Sequence, residues 1–166
     1  MKARYRDFLV RDWQPADRIP VGRLAETVLA EFGLDFEPEG ADRDALQVEA
    51  AYWETGGEFW VVEREGRVLG SGGYHPYSRD GNVAELRKMF LYPEVRGQGL
   101  GRFLLRSLEA AAAHRGFLTM RLETATALKG AIALYEGSGY VLSTGVETQR
   151  CDRVYVKRLV PQTPLS

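Results

Sequence analysis

The sequence predicts an α/β protein in which a mixed β-sheet carries helices on both faces. Three observations support this fold class. Apolar residues alternate with a period of two in several short segments and follow helical spacing in others. Tight-turn signals separate the strands of the first half, which predicts antiparallel hairpins there. One strand–helix–strand crossover, between 83–92 and 117–124, adds a parallel pair. We expect roughly six to seven strands and about four helices.

The first third of the chain is predicted to hold one strand and two helices. The strand covers 7–13 and ends before Pro15, and the first helix runs from about Asp17 to the stop signal at Gly33. A second helix is predicted at 43–57 because three apolar residues fall on one face there: Leu46, Ala50 and Trp53.

The rest of the chain is predicted to alternate between strands and helices. A hairpin forms first, from strands at 58–64 and 67–75 around the turn Glu65-Gly66. The later elements, in order, are a strand at 83–92, a helix at 100–116, a strand at 117–124, a helix at 127–139, and strands at 140–147 and 153–160. The tail, 161–166, is predicted to fray.

Length and composition narrow the classes of function. A chain of 166 residues, 45% hydrophobic and 27% charged, is predicted to form one domain with an ordinary core. A net charge of −1 gives no general attraction to nucleic acid or anionic lipid. The N-terminus lacks the apolar core of a signal peptide, and no apolar run is long enough to cross a bilayer. We therefore expect a cytoplasmic protein without a nucleic-acid or membrane partner.

Metal binding is not expected. One cysteine and two histidines, Cys151, His75 and His114, are too few for a metal site built on several of these ligands. Cys151 is interpreted as a small buried strand residue rather than a nucleophile.

Three glycines mark the point where the strand at 83–92 gives way to the helix at 100–116. Gly97, Gly99 and Gly101 alternate there, between Arg96 and Arg102. A helix N-terminus presents unpaired backbone N–H groups and about half a positive charge. Because glycines let phosphate oxygens approach the backbone and the two arginines add charge-assisted bonds, this stretch is predicted to cradle a diphosphate.

The glycine spacing separates the candidate phosphate ligands. A dinucleotide fingerprint needs G-x-G-x-x-G, but its last position is Arg102 here, and a Walker P-loop is absent. A dinucleotide-dependent oxidoreductase is therefore disfavoured. The pattern that fits is R-x-x-G-x-G, formed by Arg96, Gly99 and Gly101.

With this pattern the sequence resembles the GNAT superfamily of acetyl-CoA-dependent N-acetyltransferases. The resemblance is carried by "AELRKMFLYPEVRGQGLGRFLL" and, downstream, by "AIALYEGSGY", and it spans roughly 58–160 in order. Residues 1–57 match only in element order and are interpreted as the acceptor side. The resemblance implies acetyl-CoA or coenzyme A as cosubstrate, and a GNAT-like sheet whose fourth and fifth predicted strands splay apart.

The resemblance also implies a binding site for the cosubstrate. The pantetheine arm pairs with the backbone of the fourth predicted strand, and an amide of that strand points at the thioester carbonyl as an oxyanion donor. The glycine-rich turn holds the pyrophosphate. The implied cofactor-binding residues are Met89, Phe90, Leu91, Arg96, Gly97, Gln98, Gly99, Leu100, Gly101 and Arg102.

Two residues are expected to act in catalysis. Tyr135 matches the family's tyrosine beside the sulfur and would donate to the departing thiolate. Glu85 matches a position where some members carry a catalytic glutamate, and it is the leading base. His75 on the neighbouring strand is the rival base, and relay through water remains open.

One position departs from the family. Many members carry an asparagine where this chain has Leu128, so a polar contact to the cofactor is either missing or supplied by Thr124 or Thr126. The alternative to an enzyme is a non-catalytic CoA-binding sensor of the same fold. A homodimer, formed through the last strands, is expected from the family.

The acceptor is expected to be a small-molecule or peptide amine. It would enter beside the first two predicted helices. The acidic link, residues 31–44, and a set of aromatics could receive a cationic amine. These aromatics are Phe32, Phe36, Tyr52, Trp53 and Trp60. The alternative is that the acidic link is a solvated loop. The acceptor stays open among polyamines, amino acids, antibiotics, toxins and protein N-termini.

Overall fold

The computed structural model describes residues 2–161 and folds them around one eight-stranded mixed sheet, in the order β1-β2-β3-β4-β5-β6-β8-β7. The strands are β1 Ala3–Tyr5, β2 Phe8–Asp12, β3 Glu58–Arg64, β4 Arg67–Pro76, β5 Val83–Leu91, β6 Thr119–Thr124, β7 Val141–Ser143 and β8 Arg153–Arg158. The predicted α/β class is confirmed, and the sheet has one or two strands more than expected. Apart from Pro161, the predicted tail 161–166 lies outside the described residues.

The N-terminal strand is the element that the prediction missed. β1 pairs antiparallel with β2, with Ala3 opposite Val10 and Tyr5 opposite Phe8. The hairpin turns through Arg6, a non-glycine residue with φ of +53°. Because the usual glycine signal for a tight turn is absent and the strand is only three residues long, the pattern of the sequence gives no sign of it.

Four α-helices flank the sheet in the described part of the chain: α1 Arg18–Glu31, α2 Arg43–Leu46, α3 Leu100–His114 and α4 Lys129–Gly137. The predicted second helix, 43–57, is wrong in its continuity. It consists of the short α2 and a separate π-helical turn, Glu49–Trp53. Within that turn Tyr52 is fully buried and its hydroxyl bonds the Asp44 carboxylate, so tertiary packing overrides the regular helical repeat.

Strand pairing follows the predicted pattern. β1 to β5 are antiparallel neighbours, and the β3–β4 hairpin turns at Glu65-Gly66, where both residues have positive φ. β5 and β6 form the parallel pair that the crossover through α3 requires. The predicted strand 140–147 is shorter than expected, since β7 covers only Val141–Ser143.

Both faces of the sheet are covered by apolar side chains. Trp60 and Val62 of β3 join a core packed on α3, where Leu104 and Leu108 are fully buried. Phe59 and Val61, on the opposite face, join a smaller core beneath α1 that includes Val21. This alternation confirms the predicted placement of helices on both faces.

Candidate active site

A V-shaped opening lies in the sheet between β5 and β6. The two strands pair only from Val83–Glu85 to Thr119–Arg121 and then separate. The free edge of β5 beyond Glu85 faces a cavity of about 520 Å³, which we call the cleft. Segments of α1, β5, β6, α3 and α4 line the cleft, together with the loop before α3. The expected splay of the fourth and fifth predicted strands is confirmed.

A β-bulge reshapes β5 where it borders the cleft. Lys88 and Met89 together oppose Gly72 of β4, and Lys88 has φ of +53°. The Ser71 hydroxyl donates to the Lys88 carbonyl at 2.7 Å and fixes the bulge. Bulges of this kind re-aim side chains and bend a strand. The backbone of Met89, Phe90 and Leu91 consequently lines the cleft on an edge that β6 does not pair.

The predicted phosphate cradle, residues 96–102, forms one end of the cleft, and we call it the glycine turn. Gly97 and Gly99 have φ of +77° and +87°, and Gly99 is the N-cap of α3. Among the described residues, no acceptor takes the backbone N–H groups of Gly97, Gln98 or Gly99. These free donors lie at the N-terminus of a 15-residue helix, the positive end of its dipole, so the turn can bind an anion.

Residues of the glycine turn divide into those that line the cleft and those that do not. Gly97, Gly99, Gly101 and Arg102 line it. Leu100 is buried in the core, and Gln98 turns its side chain to the Val95 carbonyl. The Gln98 carbonyl accepts a bond of 2.7 Å from the Tyr5 hydroxyl, so the N-terminal hairpin braces the turn.

Arg96 lines the cleft but its guanidinium is engaged within the protein. It forms a bidentate pair with Glu31, at 2.7 and 3.0 Å, and also donates to the Leu91 carbonyl at 3.0 Å. The Arg96 guanidinium lies 5.7 Å from the Phe32 ring centroid. It therefore ties α1 to the end of β5. Arg102, in the first turn of α3, donates no hydrogen bond to another described residue and is free to bind an anion at the glycine turn.

Glu85 lies at the vertex of the V, on the cleft wall. It is 8% exposed and sits opposite both His75 of β4 and Arg121 of β6. Arg121 donates to one carboxylate oxygen, while the other lies 3.4 Å from His75 Nε2 and 3.6 Å from Arg87 Nε. Burial acts to raise the pKa of Glu85, but the His75 contact and the two arginines outweigh it and hold the pKa below its ordinary value of 4.5.

His75 does not line the cleft. Its ring packs edge-on against Tyr52, with centroids 5.8 Å apart, and Nε2 is buried without a hydrogen-bond partner among the described residues. The two rival bases therefore form one cluster in which Glu85 faces the cleft and His75 stands behind it.

Tyr135 of α4 lines the cleft and belongs to the core that packs on α3. It is 7% exposed, it packs edge-on against Tyr140, and its hydroxyl bonds no other described residue. Burial, and secondarily the charge of a Cys151 thiolate, raises the pKa of Tyr135 far above its ordinary value. The hydroxyl is thus a permanent donor at neutral pH. Cys151 is half-buried and lies in the loop before β8, so the expectation of a buried strand residue is wrong. It lines the cleft, and burial raises the pKa of its thiol, which argues against a thiolate nucleophile.

Leu128 lines the cleft where the family's asparagine is expected. Of the two candidate substitutes, Thr126 donates its hydroxyl to Asp152 at 2.6 Å and is exposed. Thr124 lines the cleft, and its buried hydroxyl has no hydrogen-bond partner in the described structure. Only Thr124 therefore remains available to replace the missing polar contact.

Much of the acidic link is an exposed loop between α1 and α2, as the alternative of a solvated loop expects. Most of its carboxylates are nevertheless paired with basic residues of the protein, so it is not an open acidic surface. Asp42 forms a bidentate pair with Arg150, at 2.5 and 2.6 Å, and lies 3.4 Å from the Lys88 amine. Asp44 lies 3.0 Å from the same amine, and Glu37 also contacts Arg150. Of the five aromatics proposed for acceptor packing, only Phe32 lines the cleft.

Acid should destabilise the protein by breaking the ion pairs of Asp42, Asp44 and Glu85. Burial raises the pKa values of Asp42, Asp44 and Glu85, but their ion pairs outweigh it and lower them overall. A carboxylate whose pKa is lower in the folded than in the unfolded state stabilises the protein fully at a pH above its unfolded-state pKa. That stabilisation is lost as the pH falls through its folded-state pKa. We expect the free energy of unfolding, from urea titrations between about pH 7 and about pH 3, to fall below about pH 4.5. A constant value over that range would contradict the pairing.

The glycine turn, Glu85 and Tyr135, which the sequence analysis singles out, all line the cleft, and their roles stay predictions. Sequence reasoning missed Arg121 and Arg150. Arg121 is a strand residue and Arg150 a loop residue, so neither stands in a motif, and only their partners reveal them.

Among residues 2–161, no cluster of three or more His, Cys, Asp or Glu side chains is placed to hold a metal ion. None of the described helices is long and apolar enough to cross a membrane.

Known proteins are similar to this chain in sequence and in fold. A family model described as "Acetyltransferase (GNAT) family" matches residues 24–140. An uncharacterized N-acetyltransferase of Escherichia coli, YjgM, is 37% identical over 127 residues, which cover 75% of this chain and 76% of that relative.

Two solved structures illustrate the likeness in fold. An acetyltransferase from Streptococcus agalactiae superposes with a TM-score of 0.84 at 26% identity, covering 93% of this chain and all of the other. A putative acetyltransferase from Salmonella typhimurium, solved with acetyl-CoA, gives a TM-score of 0.74 at 21% identity over 94% of this chain and 96% of the other.

Proposed function

The chain belongs to the GNAT family of acetyltransferases, and from that premise we propose that it transfers the acetyl group of acetyl-CoA to a primary amine by direct attack in a ternary complex. The observation that carries the proposal is the continuity of the cleft. It runs from the free N–H groups of the glycine turn, along the unpaired edge of β5, to Glu85 and Tyr135.

The glycine turn and β5 fit the two parts of the cosubstrate. The donors of Gly97, Gln98 and Gly99, with Arg102, suit a diphosphate, since they are unpaired and electropositive. The free edge of β5 at Met89, Phe90 and Leu91 suits the amide-bearing pantetheine arm, which can add to the strand as a peptide would. Acetyl-CoA supplies an activated acyl group as its thioester.

The protein must help the amine to become a nucleophile. A lysine-like amine with a pKa near 10.4 is neutral in only about one molecule in 2,500 at pH 7, a handicap of roughly 4.6 kcal/mol. In the reaction the amine nitrogen bonds the carbonyl carbon, the C–S bond breaks with its electrons on sulfur, and the amine loses a proton. Glu85 is the proposed acceptor of that proton, directly or through water, and His75 supports it from behind.

Tyr135 is proposed to stabilise the departing sulfur. A thiol has a pKa near 8.5, well below that of a phenol near 10, so full proton transfer from an ordinary tyrosine is already uphill by about 2 kcal/mol. Since burial raises the pKa of Tyr135 further, hydrogen bonding to the developing thiolate is its main contribution. The released thiolate takes its proton from solvent.

The proposed activity is tested by thiol release. Purified protein is mixed with acetyl-CoA and with a broad panel of amines, and free coenzyme A is measured as it forms. Release that depends on both the protein and an amine supports the transferase. Calorimetric binding of acetyl-CoA without release for any amine would instead support a sensor of the same fold and overturn the catalytic proposal.

Replacing Glu85 with glutamine should lower kcat about tenfold and shift the acidic limb of the pH–rate profile. The loss should fall short of the 10²–10⁴ expected for a well-matched base, because the pKa of Glu85 lies far below the working pH. The matched control is Glu123→Gln, since Glu123 also accepts from Arg121 and lines the cleft. An unshifted limb in Glu85→Gln would point to His75 or to water as the base.

Two further expectations rest on sequence reasoning and stay predictions. One is a cytoplasmic location. The other is a homodimer through the last strands, which is consistent with the position of β7 at the sheet edge, where Val141 and Leu142 are 62% and 65% exposed.

A further inference from the structure

Arg87 differs from most of the other cations that line the cleft. Lys88 donates to the Ala41 carbonyl, Arg96 to Glu31, and Arg150 to Asp42. Arg87 donates no hydrogen bond to any residue between 2 and 161, although 28% of its side chain is exposed and it lines the cleft. Its nearest carboxylates, on Glu85 and Asp44, lie 3.6 and 3.9 Å from Nε, beyond hydrogen-bonding distance.

The position of Arg87 separates it from the cosubstrate's phosphates. Arg102, the other cleft arginine without a hydrogen bond, lies at the glycine turn, where an anion is already expected. Arg87 lies instead two residues from Glu85 on the same face of β5, at the vertex of the V. A guanidinium presents a planar fork of donors that matches a carboxylate in bidentate geometry.

Resting on the proposed function, we infer that the acceptor is a small amine that carries a carboxylate close to its amino group, as an α-amino acid does, and that Arg87 binds this carboxylate. The amino group then lies toward Glu85. Because Arg87 Nε lies only 3.6 Å from a Glu85 carboxylate oxygen, one molecule can contact both side chains when its carboxylate and its amino group are close together.

The charges around the cleft argue against a polyamine. The two carboxylates that line the cleft among the described residues belong to Glu85 and Glu123, and both accept hydrogen bonds from Arg121. Glu123 also accepts the backbone N–H groups of Glu147 and Thr148. No unpaired carboxylate among the described lining residues is therefore left for a second ammonium group. A protein N-terminus has no carboxylate beside its amino group, so it would leave the Arg87 fork with the Glu85 and Asp44 carboxylates nearby but with no hydrogen-bond acceptor.

Paired acceptors test this inference. Thiol release is compared for L-amino acids, for the same amino acids as C-terminal amides, and for putrescine and phenethylamine, at equal concentrations of free amine. We expect kcat/KM at least tenfold higher for the acids than for the matched amides. Turnover of amides or polyamines with none of the acids would overturn the inference and leave the transferase intact. No release with any amine would remove both.

Variants then assign the carboxylate contact to Arg87. Arg87→Gln should raise KM for the amino acid at least tenfold and leave KM for acetyl-CoA unchanged, while Arg102→Gln should do the reverse. Arg87→Lys, which keeps the charge but not the fork, should fall between wild type and Arg87→Gln. Any effect of Arg87→Gln that acts through Glu85 should be the same for acids and amides, so the loss in kcat/KM should be at least tenfold larger for the acids than for their matched amides. An equal loss for acids and amides would show a merely structural role and overturn the assignment.

Discussion

Replacing Gly99 with valine is expected to weaken acetyl-CoA binding at least tenfold. The residue has φ of +87°, and a Cβ placed there would lie 2.5 Å from the Tyr5 hydroxyl. The substitution therefore strains the backbone, displaces the brace on the glycine turn and puts a side chain among the N–H donors. Calorimetric titration with acetyl-CoA measures the change.

The control for this variant is Gly116→Val. Gly116 also has a positive φ, of +97°, but a Cβ there meets nothing within 4 Å, and the residue does not line the cleft. Both variants should lose roughly 1–2 kcal/mol of stability from backbone strain. Only Gly99→Val should lose affinity, and unchanged affinity in that variant would refute the cradle.

Tyr135→Phe is expected to lower kcat about 100-fold while binding of acetyl-CoA stays within twofold of wild type. The hydroxyl has no hydrogen-bond partner among the described residues, so its removal strands no buried group and the fold should be undisturbed. Steady-state thiol release gives the rate, calorimetry the affinity and thermal melting the stability. A wild-type rate would remove Tyr135 from the mechanism.

Tyr140→Phe is the control, and it should lose stability rather than activity. Tyr140 packs against Tyr135 with ring centroids 5.8 Å apart, but its hydroxyl donates to the buried Glu109 at 2.7 Å. Removing it should cost about 1–3 kcal/mol of stability, because Glu109 then loses a partner, and should leave kcat nearly unchanged. A similar loss of rate in both variants would indicate disturbed packing of α4 rather than a catalytic hydroxyl.

Local signals explain why so much of the fold could be predicted. The hairpin at Glu65-Gly66, the helix after Gly99 and the crossover between β5 and β6 each depend on a few neighbouring residues. The splay and the roles of Glu85 and Tyr135 came from the family resemblance, because nothing in their spacing alone requires them.

Long-range pairing explains what could not be predicted. Arg150 and Asp42 are 108 residues apart, and their bidentate contact holds the acidic link against the loop before β8. The same is true of Tyr5 and Gln98, 93 residues apart. The composition of the acidic link indicates a charged surface. In the structure most of that charge is neutralised, because basic residues far away in the sequence pair with its carboxylates. The broken second helix arose in the same way, since Tyr52 is placed by Asp44 and the core.

The bond from Tyr5 to the glycine turn has a consequence for how relatives can diverge. The shared family region begins at residue 24, yet the first hairpin touches the motif that defines the family. A lineage could therefore tune its grip on coenzyme A by altering a short leading segment, with every signature glycine left intact. Comparing natural variants by their motif alone would then miss a difference that lies 93 residues earlier in the chain.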